Sequence, residues 1–476
     1  MHRPLVFTTA FILSFLTILV STTNVQARVS LPGIFSNNMV LQRNDHVKIW
    51  GNSTNKTVTV TTSWNNKKYK ATSDDTGNWN VSVATPAAGG PYSITFNDGE
   101  KLILQNVLIG EVWVCSGQSN MDMPVKGFMN QPIVNSSDIL LHAENDQIRL
   151  IKYERTVSRT PKPDNKSTSW QVSDAQSARD FSAVAFQFAQ TLQQQLKMPV
   201  GVIMSTWGGT KIEAWMTENS LKSFPEIKVK PVSDTNKIAP NDPTVLFNGM
   251  INPFLGYGIK GVIWYQGESN RINANRYEDM MIAMVNEWRA LWNRELSFYY
   301  VQIAPFKYAD RPLAGALIRE AQLKASKRIP NSGMAVTMDI GAENSIHPPD
   351  KTTVSKRLAL QALANIYGIK GLSYASPEYK SMTIEKGVAS ISFDHADNGL
   401  SSFGKSLSSF EIAGEDRVFY PATAKIIGKG VVTVQSEKVK QPVAVRYAFK
   451  DWVIGDLYNI EGFPASSFRT DNWEIK

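Results

Sequence analysis

The sequence predicts an α/β protein with a mostly parallel sheet, flanked by an N-terminal and a C-terminal β-rich region. Three observations predict it. Apolar strand-like runs recur at 112–115, 200–205, 261–265, 298–303 and 334–339, and such continuous runs suit strands buried on both faces. Segments of helical period at 183–196, 277–296, 313–328 and 351–367 lie between and after them, which is the alternation of a helix-covered sheet. Outside residues 106–370 the pattern changes to short alternating stretches broken by Gly, Asn, Asp and Pro, the mark of antiparallel β-structure.

Taken in order, residues 1–27 read as a secretory signal. His2 and Arg3 precede the apolar stretch Leu5 to Val20, and Val25-Gln26-Ala27 offers a small-residue cleavage site. The stretch is short and interrupted by threonine, so removal is expected rather than a retained anchor. The mature chain is then secreted or periplasmic, with no membrane association. Residues 28–105 hold Val47–Trp50, Thr57–Thr61, Trp79–Val83 and Tyr92–Phe96, a pattern for a small antiparallel sandwich packed beside the next domain. Residues 106–370 form the α/β domain. Residues 371–476 return to strands at Val388–Phe393, Val418–Tyr420, Gly430–Val434 and Val443–Tyr447.

Bulk composition narrows the function. The chain has 476 residues, 42% of them hydrophobic, with twelve Trp and twenty-one Phe, as expected of a multidomain globular protein. Net charge is +8, but Lys and Arg are scattered, which describes a solvated surface and not a nucleic-acid groove. One cysteine, Cys115, excludes an intramolecular disulfide. Its place in an apolar strand makes it a small core residue.

In a sheet of this kind ligands bind beyond the carboxyl ends of the strands, so the residues following each run are the ones to inspect. The first run ends in Ser116-Gly-Gln-Ser-Asn120, the second in Ser205-Thr-Trp-Gly-Gly-Thr210 and the third in Gln266-Gly-Glu-Ser-Asn270. The last is followed by Asp339-Ile-Gly-Ala-Glu-Asn-Ser-Ile-His-Pro-Pro-Asp350. One rim thus carries serines, a glycine pair, carboxamides and a histidine, the parts of a serine hydrolase. This is not the Gly-x-Ser-x-Gly elbow, because Asn120-Met121 follows Ser119.

Elimination narrows the base. Of five histidines, His2 lies in the signal, His46 and His395 in the β-rich regions, and His142 in Ile139-Leu-Leu-His-Ala143. His347, in a proline-stiffened polar loop, is the expected general base. Chemistry alone leaves the nucleophile between Ser119 and Ser269, which share a Gly-x-Ser-Asn context.

These segments resemble the sialate O-acetylesterases, a branch of the SGNH hydrolases. The resemblance rests on Asn38-Met-Val-Leu-Gln-Arg43, Glu111 to Met121, Trp207-Gly-Gly-Thr-Lys-Ile-Glu-Ala-Trp215, Trp264-Tyr-Gln-Gly-Glu-Ser-Asn270, Ile346-His-Pro348 and Phe468-Arg-Thr-Asp471. It implies a flavodoxin-like catalytic domain, with Ser119 as nucleophile and His347 as base. It implies an oxyanion hole drawn from the Ser119 N–H, Gly208 or Gly209, and the carboxamide of Gln266 or, as the less favoured donor, Asn270. One position departs from the pattern: Asn344 stands where an aspartate usually orients the histidine. Asn344, Glu343 and Asp339 are the candidates for that role.

The reaction so implied removes an acetyl group from an O-acetylated sugar through an acetyl-serine, with no metal or organic cofactor. A lone histidine gives no metal-ligand spacing. The family points to O-acetylated sialic acids. Acetylated xylan or another hemicellulose is the alternative substrate, and a silent sugar-binding protein on an esterase scaffold is the rival class. Trp207, Trp215, Trp264 and Tyr265 are placed to stack on a sugar or to fill the core. The sequence carries no signal of oligomeric state.

Overall fold

A computed structural model describes residues 1, 29–165, 169–309 and 311–475; the expected signal segment lies outside the described residues. The central sheet is built from β1 (Lys101–Gly117), β2 (Asn145–Lys152), β3 (Gln171–Ser173), β4 (Val200–Thr206), β5 (Gly261–Tyr265), β6 (Ser297–Val301) and β7 (Ser332–Ala335). Their spatial order is β7-β6-β5-β1-β4-β2-β3. The pairs from β7 through to β2 are parallel and the β2–β3 edge is antiparallel.

The expectation of a mostly parallel sheet needs correcting, because the sheet is mixed. β1 is seventeen residues long and belongs to two neighbourhoods. Its first half pairs antiparallel with Gly89–Asn97, and its second half runs parallel between β4 and β5. Through it the central strands and four strands of the N-terminal region form one continuous sheet of eleven strands, while His46–Asn52 and Asn78–Ala84 pair separately. β2 and the edge strand β3 were not foreseen. β2 carries Asn145-Asp-Gln and Arg149 among its apolar residues, which hides its period.

The strands at the middle of the sheet look as fully buried strands should. β4, β5 and β6 are buried along their whole length. On β1, Val112 and Val114 join the core on one face while Trp113 and Cys115 join the core on the other, the period of two that a strand imposes. Five helices matter here: α1 (Ser119–Asp122), α2 (Ala183–Leu196), α3 (Ala274–Trp292), α4 (Ala314–Arg328) and α5 (Lys351–Asn365). α3 and α4 cover the Val112 face, and α2 and α5 the Trp113 face. Two of these helices start at side-chain caps, Ser182 accepting from the Ala185 N–H and Asp350 from the Thr353 N–H, each stabilising its helix by about 1 kcal/mol.

Two of the motifs quoted above hold the β-rich regions to this core. Val40–Gln42 pairs parallel with Leu108–Gly110. The fully buried Glu111 accepts from Gln42 Nε2 (3.1 Å) and Arg43 Nε (2.5 Å). At the other end, Arg469 forms a two-pronged pair with Glu320 of α4 (3.0 Å each), and Arg446 does the same with Asp471 (2.9 and 2.8 Å). The C-terminal region itself contains two four-stranded antiparallel sheets.

Glu111 is fully buried, and Arg43 is the cation paired with it. Arg43→Ala should destabilise the protein by about 3 kcal/mol in denaturant titration, the cost of leaving a buried charge unpaired. An effect under about 1 kcal/mol, usual for an exposed pair, would refute this role.

Candidate active site

The site forms where β1, β4 and β5 end side by side. Ser116 and Gly117 lie in register with Ser205 and Thr206 on one side and with Trp264 and Tyr265 on the other. Gly117 has φ +134°, and a methyl group there would lie 2.2 Å from the Tyr265 carbonyl oxygen. Only glycine lets the chain turn this close to its neighbour. The turn delivers Ser119 to the first position of α1. Among the described residues, the N–H groups of Ser119, Asn120, Gly208 and Gly209 donate no hydrogen bond, as expected of a helix start beside a glycine pair.

Gly208 is packed on the serine, since a methyl group at Gly208 would sit 3.2 Å from Ser119 Cβ. Gly209, with φ +73°, faces open space, and its carbonyl accepts from Asn241 Nδ2. Of the other serines at this rim, Ser116 and Ser205 have committed hydroxyls. Ser116 Oγ donates to the Ser205 carbonyl and Ser205 Oγ to the Met250 carbonyl. The Ser269 N–H is taken by Gln118 Oε1.

The residue after the serine fastens the site. Asn120 is buried, and its carboxamide donates to Glu268 Oε1 (2.5 Å) and to the Ile346 carbonyl (3.0 Å), while accepting from Lys351 Nζ (2.6 Å). One side chain thereby joins the Gly-Gln-Ser-Asn turn, the Gln-Gly-Glu turn and the Ile-His-Pro loop. Ser119 and His347 are each one residue from this junction. Burial raises the Glu268 carboxyl above its ordinary range and lowers Lys351 to about 7.

His347 is held neutral. Its Nδ1 lies 2.5 Å from Gln131 Oε1. An amide oxygen only accepts, so Nδ1 carries the proton and Nε2 keeps its lone pair. Nε2 is buried without a partner. The Phe128 ring stands edge-on to the imidazole at 5.4 Å. Burial, and then the positive charge of Lys351, lower the histidine pKa to about 4.

Several expectations for the orienting and donor groups are corrected here. Asn344 is exposed and makes no hydrogen bond to the histidine, whose Nδ1 is taken by Gln131. Glu343 pairs with Lys307 (3.0 Å), and Asp339 is held in a two-pronged pair by Arg357 (2.8 and 2.7 Å). Gln131 takes the place expected of these three. Gln266 spends both amide hydrogens on the Thr210 carbonyl and Asn270 Oδ1, and its oxygen accepts from the Tyr277 hydroxyl. No hydrogen is left for an oxyanion. Asn270 donates to Glu213 and accepts from the Ile212 N–H and Gln266. These two carboxamides therefore stitch the Trp-Gly-Gly and Gln-Gly-Glu segments together.

Sequence reasoning missed Gln131 and Lys351. Gln131 lies in a tight turn, where Phe128 and Gln131 exchange backbone hydrogen bonds, and nothing local marks it. Lys351 starts a helix just past the histidine loop, a signal legible in hindsight. Cys115 is buried as expected, and burial pushes its thiol up, away from reactivity. Of the aromatics, Trp215, Trp264 and Tyr265 are fully buried core residues, whereas Trp207 is only partly buried. Among the described residues, no three His, Cys, Asp or Glu side chains group closely enough to hold a metal ion. Nor is any helix there long and apolar enough to cross a membrane.

An α/β sheet with a serine turn at its strand ends and a neutral histidine loop beside it defines the class of the esterase-type hydrolases. The family described as carbohydrate esterase, sialic acid-specific acetylesterase, matches residues 109–364, and the chain belongs to this family. It is 30% identical to a sialate O-acetylesterase of Pongo abelii over 88% of this chain and 87% of that one. The Homo sapiens sialate O-acetylesterase is 29% identical with the same coverage. A crystal structure of a carbohydrate acetylesterase from Xanthomonas citri is 35% identical, covers 94% of this chain and 100% of its own, and has a TM-score of 0.86. The protein is accordingly an enzyme that hydrolyses carbohydrate esters.

The histidine environment can be checked directly. NMR titration of His347 should give a midpoint near pH 4, well below the usual value of about 6.5. Lys351→Met removes a positive charge that disfavours the imidazolium, so the midpoint should rise. A midpoint near 6.5 in both forms would refute the burial argument.

Proposed function

We propose that the protein removes acetyl groups from O-acetylated sialic acids through an acetyl-enzyme formed on Ser119. The observation that carries the reading is the Asn120 carboxamide, which ties the serine turn to the His347 loop while His347 Nε2 stays buried and unpartnered.

In this reading His347 Nε2 takes the proton of Ser119 Oγ as that oxygen attacks the acetyl carbonyl. The developing oxyanion is held by the N–H groups of Ser119 and Gly208, both uncommitted. Gly208 is favoured over Gly209 because it lies against the serine. Collapse expels the sugar oxygen, which takes the proton from His347. Water, deprotonated by the same histidine, then releases acetate from Ser119. Gln131 holds the imidazole tautomer and orientation but adds no negative charge to stabilise the imidazolium. The catalytic set is thus a serine–histidine pair oriented by an amide, on what we read as a flavodoxin-like SGNH scaffold.

The sialate assignment follows the description of the family and the names of the mammalian relatives. Acetylated xylan or another hemicellulose is the second reading. What favours it is that the Xanthomonas citri relative is described only as a carbohydrate acetylesterase. Secretion after loss of residues 1–27 accompanies either reading, as does a three-part division into 28–105, 106–370 and 371–476.

Ser119→Ala should lower p-nitrophenyl acetate hydrolysis at least about a thousandfold, and equal rates in the two proteins would sink the nucleophile. Acetate release from a panel of O-acetylated sialic acids and acetylated xylo-oligosaccharides separates the substrates. Release confined to the xylan set would remove the sialate reading. The base must be neutral, so kcat/KM should hold down to about pH 4 and fall as pH drops through it. Gln131→Glu places a negative charge on Nδ1–H, stabilises the imidazolium and should move that acid limb upward. An unmoved limb would show that Gln131 does not govern the histidine.

A further inference from the structure

Beside the serine turn stands a cation that the chemistry above does not use. Arg155 follows the end of β2, at the edge of the sheet where β1 and β4 also end. Its Nη2 lies 2.5 Å from Asp122 Oδ2, and Asp122, the last residue of α1, is itself buried with Oδ1 accepting from Thr206 Oγ1 (2.5 Å). The guanidinium carbon stands 5.9 Å from the ring of Trp207, the residue next to Gly208. Asp122 thus fixes the arginine to the same helix that begins at Ser119. The guanidinium also leans on the loop that carries the glycine pair.

Arg155 is anchored but not enclosed. Half of its side chain is exposed, against 5% for Asp122, and its Nε and Nη1 donate no hydrogen bond among the described residues. An arginine serving only to neutralise Asp122 has no need to keep two donors in solvent. A planar guanidinium with free donors, held still by a buried acid, suits the two oxygens of a carboxylate. The partly buried Trp207 indole beside it offers an apolar face for a sugar ring. Gly209 leaves open space at the same rim, since a methyl group there would meet nothing within 4 Å.

We propose that Arg155 reads the carboxylate of an acidic acetylated sugar while Trp207 supports its ring, and so sets the preference for acidic over neutral acetylated sugars. The assignment rests on the sialate reading given under Proposed function, and names the group that makes that selection. Ser119 and His347 act on the ester alone and have no means of sensing a carboxylate elsewhere on the sugar.

The experiment measures kcat/KM on three esters: an O-acetylated sialic acid, the methyl ester of the same sugar, and p-nitrophenyl acetate. The wild type should favour the free acid over its methyl ester about tenfold, the worth of one charge-assisted pair. Arg155→Gln should collapse that ratio toward one, chiefly through KM, and lose far more on the acid than on p-nitrophenyl acetate. Arg155→Lys should restore part of the ratio. Equal losses on all three esters would mean that Arg155 only supports α1, and would overturn the assignment. So would an unchanged ratio in Arg155→Gln when the wild type is active on the acid. A wild type active on p-nitrophenyl acetate but inactive on the acid would overturn the sialate reading, and this assignment with it.

Discussion

β1 is the constraint on which the molecule depends. Seventeen residues of one strand pass from an antiparallel pairing in the N-terminal region to the middle of the parallel strands, and then stop at a glycine against β5. Moving its register by one residue would exchange Val112 and Val114 for Trp113 and Cys115 across the sheet, turning both cores inside out. The same slip would displace Ser119 from the strand ends. The buried Glu111, gripped by Arg43 and Gln42, pins that register from the N-terminal side. A motif far from the chemistry therefore has a mechanical reason to be where it is.

The second dependence is local. Three loops from three strand ends must converge to place a serine, a histidine and free backbone donors together, and loops alone hold such positions poorly. Asn120 holds them with one carboxamide, and Gln266 with Asn270 does the same for the glycine loop. These amides are buried and nearly saturated, which is why they serve position rather than chemistry. The electrostatic consequence falls on His347. Burial and the nearby Lys351 keep it neutral, and a neutral orienting amide at Gln131 does nothing to reverse that. The histidine thereby stays neutral over a wide pH range, without the stabilisation a carboxylate would give its cation.

Much of this was legible in the sequence. Helices 183–196 and 351–367 were read within two residues of their observed ends, because their apolar period was clean and Ser182 and Asp350 mark their starts. The strands of continuous apolar character were legible for the same reason. β2 and β3 were not, since charged and amide residues interrupt the first and the second is only three residues long. The mixed character of the sheet also stayed hidden: no local signal shows that the strand ending in the serine turn begins in another sheet partnership. The serine turn and the histidine loop were recognisable as parts of one rim by motif and elimination. Their supports were not, because Gln131 lies 216 residues from His347 in the chain and in an unremarkable turn.

What the sequence by itself determined is the chemical inventory of the rim, a serine turn, a histidine loop and a glycine pair, and the alternating order of elements that brings them together. Periodicity and turn chemistry are local, so they can be read along the chain. What only the tertiary structure decided is which polar group faces which. It moved the orienting role from Asn344, Glu343 and Asp339 to Gln131, turned Gln266 from donor into brace, and set Gly208 rather than Gly209 against the serine. The reason is that a hydrogen bond depends on distance and direction between groups remote in sequence, and packing sets both.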